Sequence, residues 1–198
     1  LPSIGTLNSN LSVFTASGST VSLQSELASE ATCSFHVIVK DTETPYCASL
    51  DTMTYVGVGG AIEADNYTVF NIDVTQNYQI GDVNLINLAG SYPNMGGITI
   101  KLVSPSGTTV SLIDKQCNNT ANFDVDLDDS YASSLASVAC GPLGNGGKYK
   151  PLEAFKAFFG ESSLGTWKLE IHNTTGFTGT LNSFELQLSE LIPFAQAD

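Results

Sequence analysis

Five side chains near the middle of the chain have the types and spacing to do chemistry: Asn122, Asp124, Asp126, Asp128 and Asp129, in the run NFDVDLDDS. On a strand, residues two apart share a face, so Asp124, Asp126 and Asp128 line up while Phe123, Val125 and Leu127 turn toward a core. Three carboxylates on one face repel one another. A hard cation such as Ca2+, with about 6–8 oxygen ligands, relieves that repulsion and can recruit Asn122 and Asp129 as further donors. The competing reading is a solvated acidic face on which Asp128 or Asp129 caps a turn. The run is not an EF-hand loop, because Asp129 stands where that loop requires glycine and Leu135 where it requires glutamate.

Other chemistry finds little support. There are two histidines, His36 and His172, and no serine sits in a nucleophile setting: Gly160-Glu161-Ser162-Ser163-Leu164 lacks the closing glycine of a nucleophile elbow. No HExxH zinc motif is present, and the spacing of the 20 acids nominates no glycosidase pair. By itself the chain is therefore expected not to be an enzyme. Tyr46, Tyr92, Tyr131 and Tyr149 fall in predicted loops, where an exposed ring offers a platform for sugars. Trp167 alternates in phase with Leu169 and Ile171 and is assigned to the core.

The elements that must position these residues are strands. Residues 165–188 (GTWKLEIHNTTGFTGTLNSFELQL) form two alternating runs joined by a Gly/Thr-rich turn, with Trp167, Leu169 and Ile171 on one face and Phe184, Leu186 and Leu188 on another. Residues 98–114 (ITIKLVSPSGTTVSLID) predict a hairpin, because Ser104-Pro105-Ser106-Gly107 supplies the fixed and positive φ values of a tight turn. Residues 67–74 predict the opening strand of a sandwich. Residues 151–159 allow one short helical turn, beginning at Pro151 and stopped by Gly160.

In order and spacing these segments resemble the P domain, or homo B, which follows the catalytic domain in subtilisin-like proprotein convertases and recurs in bacterial secreted proteins. Residues 165–188 resemble its closing hairpin and residues 98–114 its central strand pair. Asn122 to Ser130, Lys148-Tyr149-Lys150-Pro151 and Phe159-Gly160-Glu161 follow the family's order, and the likeness covers about residues 64–190. One departure stands out: Ser91-Tyr92 and Gly96-Gly97-Ile98 replace the family's His-Thr pair and Gly-Asp-Leu step, so no role of that aspartate is carried over. The resemblance implies an all-β, jelly-roll-type β-sandwich. It also implies pairing of Cys117 with Cys140, since bacterial P domains have two cysteines that bracket the Asp-rich loop. Cys33 and Cys47 are left as a second pair, or Cys33 has a partner beyond the chain.

Residues 33–45 (CSFHVIVKDTETP) resemble the last strand of a hyalin repeat, an immunoglobulin-like adhesive module, with Phe35, Val37 and Val39 on one face and residues 21–27 as the preceding strand. Such sandwiches need ~100 residues. The chain is thus expected to begin inside a module, either as an excerpt of a longer protein or with these strands packing on the following domain as an addition of its own. The expected organisation is a partial hyalin-repeat-like segment over 1–48 and a linker over 49–65 around Gly57, Gly59 and Gly60. A sandwich over 66–190 and a tail over 191–198 complete it.

Charge and cysteine usage narrow the partners. Against 20 acidic residues stand 7 lysines and no arginine, a formal charge of −13 in 198 residues, which disfavours nucleic acid and anionic lipid surfaces. No apolar run approaches the ~20 residues of a membrane span. The four cysteines form no CxxC pair and lie in no zinc spacing with histidine, so disulfides in an extracellular, oxidising setting are expected. Sequons at Asn10, Asn66, Asn118 and Asn173 suit exposed loops. The expected function is a non-catalytic extracellular module, secreted or at the cell surface, acting in adhesion, assembly or protein contact. Its partners are other proteins or neighbouring domains, and unpaired strand edges in the first segment allow self-assembly by β-augmentation. The alternatives are an accessory domain that stabilises or regulates a subtilisin-like protease, and a calcium-dependent glycan-binding module.

Overall fold

The computed structural model describes residues 14–17, 20–23, 46–138, 140 and 143–193. The chain divides into two units, Leu1–Pro45 and Tyr46–Asp198. In the first, β1 (Phe14–Ser17) and β2 (Thr20–Leu23) pair antiparallel. Residues 33–45, which carry the hyalin-repeat resemblance, lie outside the described residues, and Cys33 with them.

Among the described residues the second unit has ten strands: β3 (Tyr46–Val56), β4 (Gly60–Ile62), β5 (Tyr67–Val74), β6 (Ile80–Ser91), β7 (Ile98–Val103), β8 (Thr109–Asp114), β9 (Phe123–Leu127), β10 (Leu143–Tyr149), β11 (Gly165–Asn173) and β12 (Gly179–Pro193). They form two sheets. One runs β10-β9-β6-β12-β3, with β4 also pairing β12, and the other runs β5-β11-β7-β8. Pairing is antiparallel except between β9 and β10. Period-two alternation makes the sandwich. Phe70, Ile72, Trp167, Leu169, Ile171 and Leu102 are buried from the smaller sheet, and Leu85, Phe123, Val125, Phe184, Leu186 and Leu188 from the larger. The rings of Phe70 and Phe184 meet edge-on across the gap, with centroids 6.3 Å apart.

The 98–114 hairpin forms as β7 and β8. Its turn closes through bonds from the Gly107 N–H to the Ser104 carbonyl (3.0 Å) and from the Ser104 N–H to the Thr108 carbonyl (2.9 Å), with Gly107 at φ +92°. The short helix of residues 151–159 is a 3-10 turn, Phe155–Phe158.

Three expectations require correction. The stretch 49–65 is not a linker, because most of β3 and all of β4 fall within it and both pair with β12. Its glycines serve close approach rather than flexibility: a Cβ on Gly59 would lie 2.1 Å from the Leu181 carbonyl oxygen. The tail does not begin at 191, since β12 continues to Pro193. Finally, residues 165–188 are not a hairpin. β11 lies in the smaller sheet and β12 in the larger, so the Gly/Thr-rich turn carries the chain across the sandwich. Alternation tells which side chains face the core, and strands from opposite sheets satisfy that condition as well as two paired neighbours do.

Candidate functional site

β9 places Phe123, Val125 and Leu127 in the core, with Asp124 exposed and Asp126 half-buried on the outer face. Each of the other predicted donors has a local task. Asp126 faces Lys148 on β10, and its Oδ1 accepts the N–H of Asn87 at 2.8 Å. Asn87 sits at φ +52° where the β6–β9 register shifts, so Asp126 receives a donor that the bulge removes from the ladder. Asp128 lies just beyond the strand end, and its Oδ1 closes a turn on the N–H of Ser130 at 2.6 Å. Both oxygens of Asp129 accept helix N–H groups, from Phe155 at 3.0 Å and Lys156 at 2.9 Å. The 3-10 turn has Ala154 at its N-cap with no side-chain bond, so Asp129 acts as a cap reaching from 26 residues away. Asn122, at φ +66°, exchanges two bonds with Tyr92: its Oδ1 accepts the Tyr92 N–H, and its own N–H donates to the Tyr92 carbonyl.

Thus four of the five residues anchor a bulge, a turn, a helix end and a loop, and Asp124 stands exposed on the outer face. Among the described residues no group of three or more His, Cys, Asp or Glu is placed to hold a metal ion.

The sequence pattern missed Asp82. Burial raises its carboxyl above the ordinary value, the charge of Asp128 raises it further and Asp129 adds to this, against the Val83 N–H and the Asn84 amide, which lower it. A carboxyl raised by folding contributes stability that is full below its unfolded pKa and is lost as pH climbs through the folded value. Asp82→Asn is therefore expected to raise the melting temperature at neutral pH and to bring no gain in acid below the carboxylate range. Thermal melts of both proteins across pH check this.

Cys117 and Cys140 are joined by a disulfide with Cα atoms 5.2 Å apart, closing a loop of sequence separation 23 around β9. Cys47 lies within β3. Opening the 117–140 bridge by the double Cys→Ser change is expected to cost about 3 kcal/mol, read as a lower urea midpoint.

The loop tyrosines fare differently from one another. Tyr92 is no platform: it is 1% exposed, and its hydroxyl meets Asn173 Oδ1 and Thr175 Oγ1, each at 2.5 Å. Tyr149 is partly buried against the core. Tyr131 lies under the Lys148 ammonium, 5.6 Å from the ring centroid, with its hydroxyl pKa raised by burial and then by Asp126 and Asp128. Tyr46 begins β3. The Asn173 sequon is not in an exposed loop either, because Asn173 is fully buried.

A polar hollow of about 410 Å3 lies over the smaller sheet. Tyr67 from β5, Glu170 and His172 from β11 and Lys101 from β7 line it, joined by Lys115 and Glu153 from flanking loops. The Tyr67 hydroxyl donates to Glu170, and its pKa is pushed up to about 12 by burial first and then by that carboxylate. The Tyr67 and His172 rings are 5.8 Å apart and tilted by 51°.

Residues 83–188, more than half of the chain, match the proprotein convertase P-domain. The chain belongs to that family. The match begins in β6 and ends in β12, so this P domain carries β3, β4 and β5 outside the matched region. The acidic loop and the 117–140 disulfide lie inside it. P domains are non-catalytic accessory domains, consistent with the sequence reading of this chain. No curated protein matches the chain. Among solved structures, the P domain is similar to the serine protease of Aeromonas sobria, alone and in complex with the chaperone. In both cases identity is 18% over 76% of this chain and 28% of the protease chain, with a TM-score of 0.46. It is also similar to PfGH50B, with 11% identity over 77% of this chain and 24% of that one, at a TM-score of 0.29. The chain thus spans less than a third of the length of these proteins. Among the described residues no helix is long and apolar enough to cross a membrane.

Proposed function

We propose that this P domain is a non-catalytic accessory module of a larger extracellular polypeptide, and that it works by docking one end of its sandwich onto a neighbouring domain. The observation that carries the reading is a set of exposed apolar side chains borne by segments that are joined at that end. Phe159 is 49% exposed, Leu164 46% and Ile192 40%. All three stand on segments tied to one short stretch of backbone, residues 78–80. The Gly160 N–H bonds the Ile80 carbonyl at 2.8 Å, the Ser163 N–H the Tyr78 carbonyl at 2.9 Å, and the Leu191 N–H the Gln79 carbonyl at 2.7 Å. Apolar side chains held in a fixed frame and left in water are the mark of a contact surface. The disulfide supports an oxidising, extracellular setting.

The test is calorimetry of the native full-length polypeptide with and without Phe159→Ser/Leu164→Ser. Docking predicts one shared unfolding transition that splits in the double variant, while the melting temperature of this chain expressed alone barely moves. Independent transitions already present in the unsubstituted protein would overturn docking and favour a tethered adhesive module instead.

A further inference from the structure

We propose that the hollow over the β5-β11-β7-β8 sheet is a binding site for a neutral oligosaccharide. Its volume of about 410 Å3 falls in the range of small-molecule sites, roughly 300–1,000 Å3. The lining is what selects the ligand. Three carboxylates are each steadied by a neutral donor of the fold: Glu170 by the Tyr67 hydroxyl, Glu153 by the Ser111 N–H at 2.7 Å, and Asp114 by the Thr99 hydroxyl at 2.7 Å. Steadied in this way through one oxygen, each carboxylate keeps acceptor capacity on the other. Lys101 and Lys115 complete the set, and their side chains make no ion pair or hydrogen bond among the described residues, so their ammonium donors are available.

Fixed acceptors interleaved with available donors suit a hydroxyl group, which donates and accepts at once. An anion would meet three carboxylates, and a cation two ammonium groups. A ligand carrying many hydroxyls and no charge can satisfy both kinds of partner. The site also has an apolar face. Tyr67 is 48% exposed, its ring lies beside that of His172, and its hydroxyl is fixed by Glu170, which presents a held aromatic surface to the C–H face of a pyranose. Tyr67 lies on β5, outside the part of the chain that matches the family. The site requires no metal, and it is separate from the apolar end proposed for docking.

Isothermal titration of the full chain with a panel of neutral hexasaccharides, built from glucose, mannose, galactose, xylose and N-acetylglucosamine, tests the proposal, with polygalacturonate as the charged comparison. The expected result is saturable binding of at least one neutral member, indifferent to EDTA and weakened about tenfold or more by Tyr67→Ala and by Lys101→Gln, about 1.4 kcal/mol per tenfold. Tyr131→Ala, in the acidic loop, should leave it unchanged. Both hollow variants alter exposed or half-exposed side chains, and a melting curve shows that they fold. Tyr67→Phe, which keeps the ring and frees Glu170, should give an intermediate affinity. Heats absent across the neutral panel, binding that survives both hollow variants, or a preference for polygalacturonate would each overturn the assignment.

Discussion

Trp167→Ala is expected to destabilise the sandwich by about 3–5 kcal/mol, a large share of the ~5–15 kcal/mol that holds a typical domain folded. Trp167 is fully buried near the start of β11, and the Phe158 ring meets it edge-on with centroids 5.1 Å apart. Its indole N–H donates to the Ser163 carbonyl at 3.0 Å. Ser163 in turn clamps the connection between β5 and β6: its N–H and hydroxyl bond the carbonyls of Tyr78 and Gln76, and its Oγ accepts the Tyr78 N–H. The alanine variant therefore opens a cavity, strands an acceptor and loosens the segment that carries Phe159 and Leu164. Trp167→Phe should fall between, because it keeps a ring against Phe158 while losing the indole donor and part of the buried volume. Urea unfolding followed by far-UV circular dichroism reads the shift in midpoint, since the variant removes the chain's single tryptophan. A loss under about 1 kcal/mol would contradict the central place given to this side chain.

Asn173→Ala should cost nearly as much, about 3–5 kcal/mol, for a different reason. Asn173 is fully buried, and all of its amide is used. The Nδ2 donates to the carbonyls of Glu63 and Phe177 at 2.8 and 2.7 Å. The Oδ1 accepts from the Tyr92 hydroxyl, the Thr175 N–H and the Thr175 hydroxyl. One side chain thus ties the end of β11 to the loop before β5, to the crossing turn and to the core tyrosine. Removing it leaves two carbonyls without their donor, at about 1–3 kcal/mol for each stranded group. Asn173→Asp adds a discriminating readout. A carboxylate there lacks the two donors and is buried, so its pKa in the fold is raised, and the variant should regain stability as pH falls through that raised value, with the gain complete below the unfolded carboxylate value. A pH-independent loss would show that the donors matter less than the space they fill.

Much of this architecture is legible in the residues. Alternation of Trp167, Leu169 and Ile171 with charged neighbours assigns faces, because a strand has period two whatever its partners. Ser104-Pro105-Ser106-Gly107 encodes its turn, since Pro fixes one φ and Gly107 takes the positive one. The Cys117–Cys140 bridge follows from the family resemblance and is present.

What escaped the sequence are relations between distant segments. The glycines at 57, 59 and 60 read as a linker, yet Gly57 and Gly59 let the chain between β3 and β4 lie against β12, a partner more than 100 residues away. Asp128 and Asp129 read equally as metal ligands or caps, and only the arrival of residues 155–156 shows what Asp129 holds. Tyr92 and Asn173 carry a loop's polarity in their own neighbourhoods and are buried because each completes the other's hydrogen bonds. The sequence by itself determined the strands within residues 67–74, 98–114 and 165–188, their inward faces, the tight turn and the acidic character of the chain, since these depend on backbone sterics and composition within a few residues. The tertiary structure alone decided that β11 and β12 belong to opposite sheets, which carboxylate caps which turn, and that Tyr67, Lys101, Lys115 and Glu153 share one hollow. Those outcomes depend on which long-range pairings close the core, and no local pattern contains them.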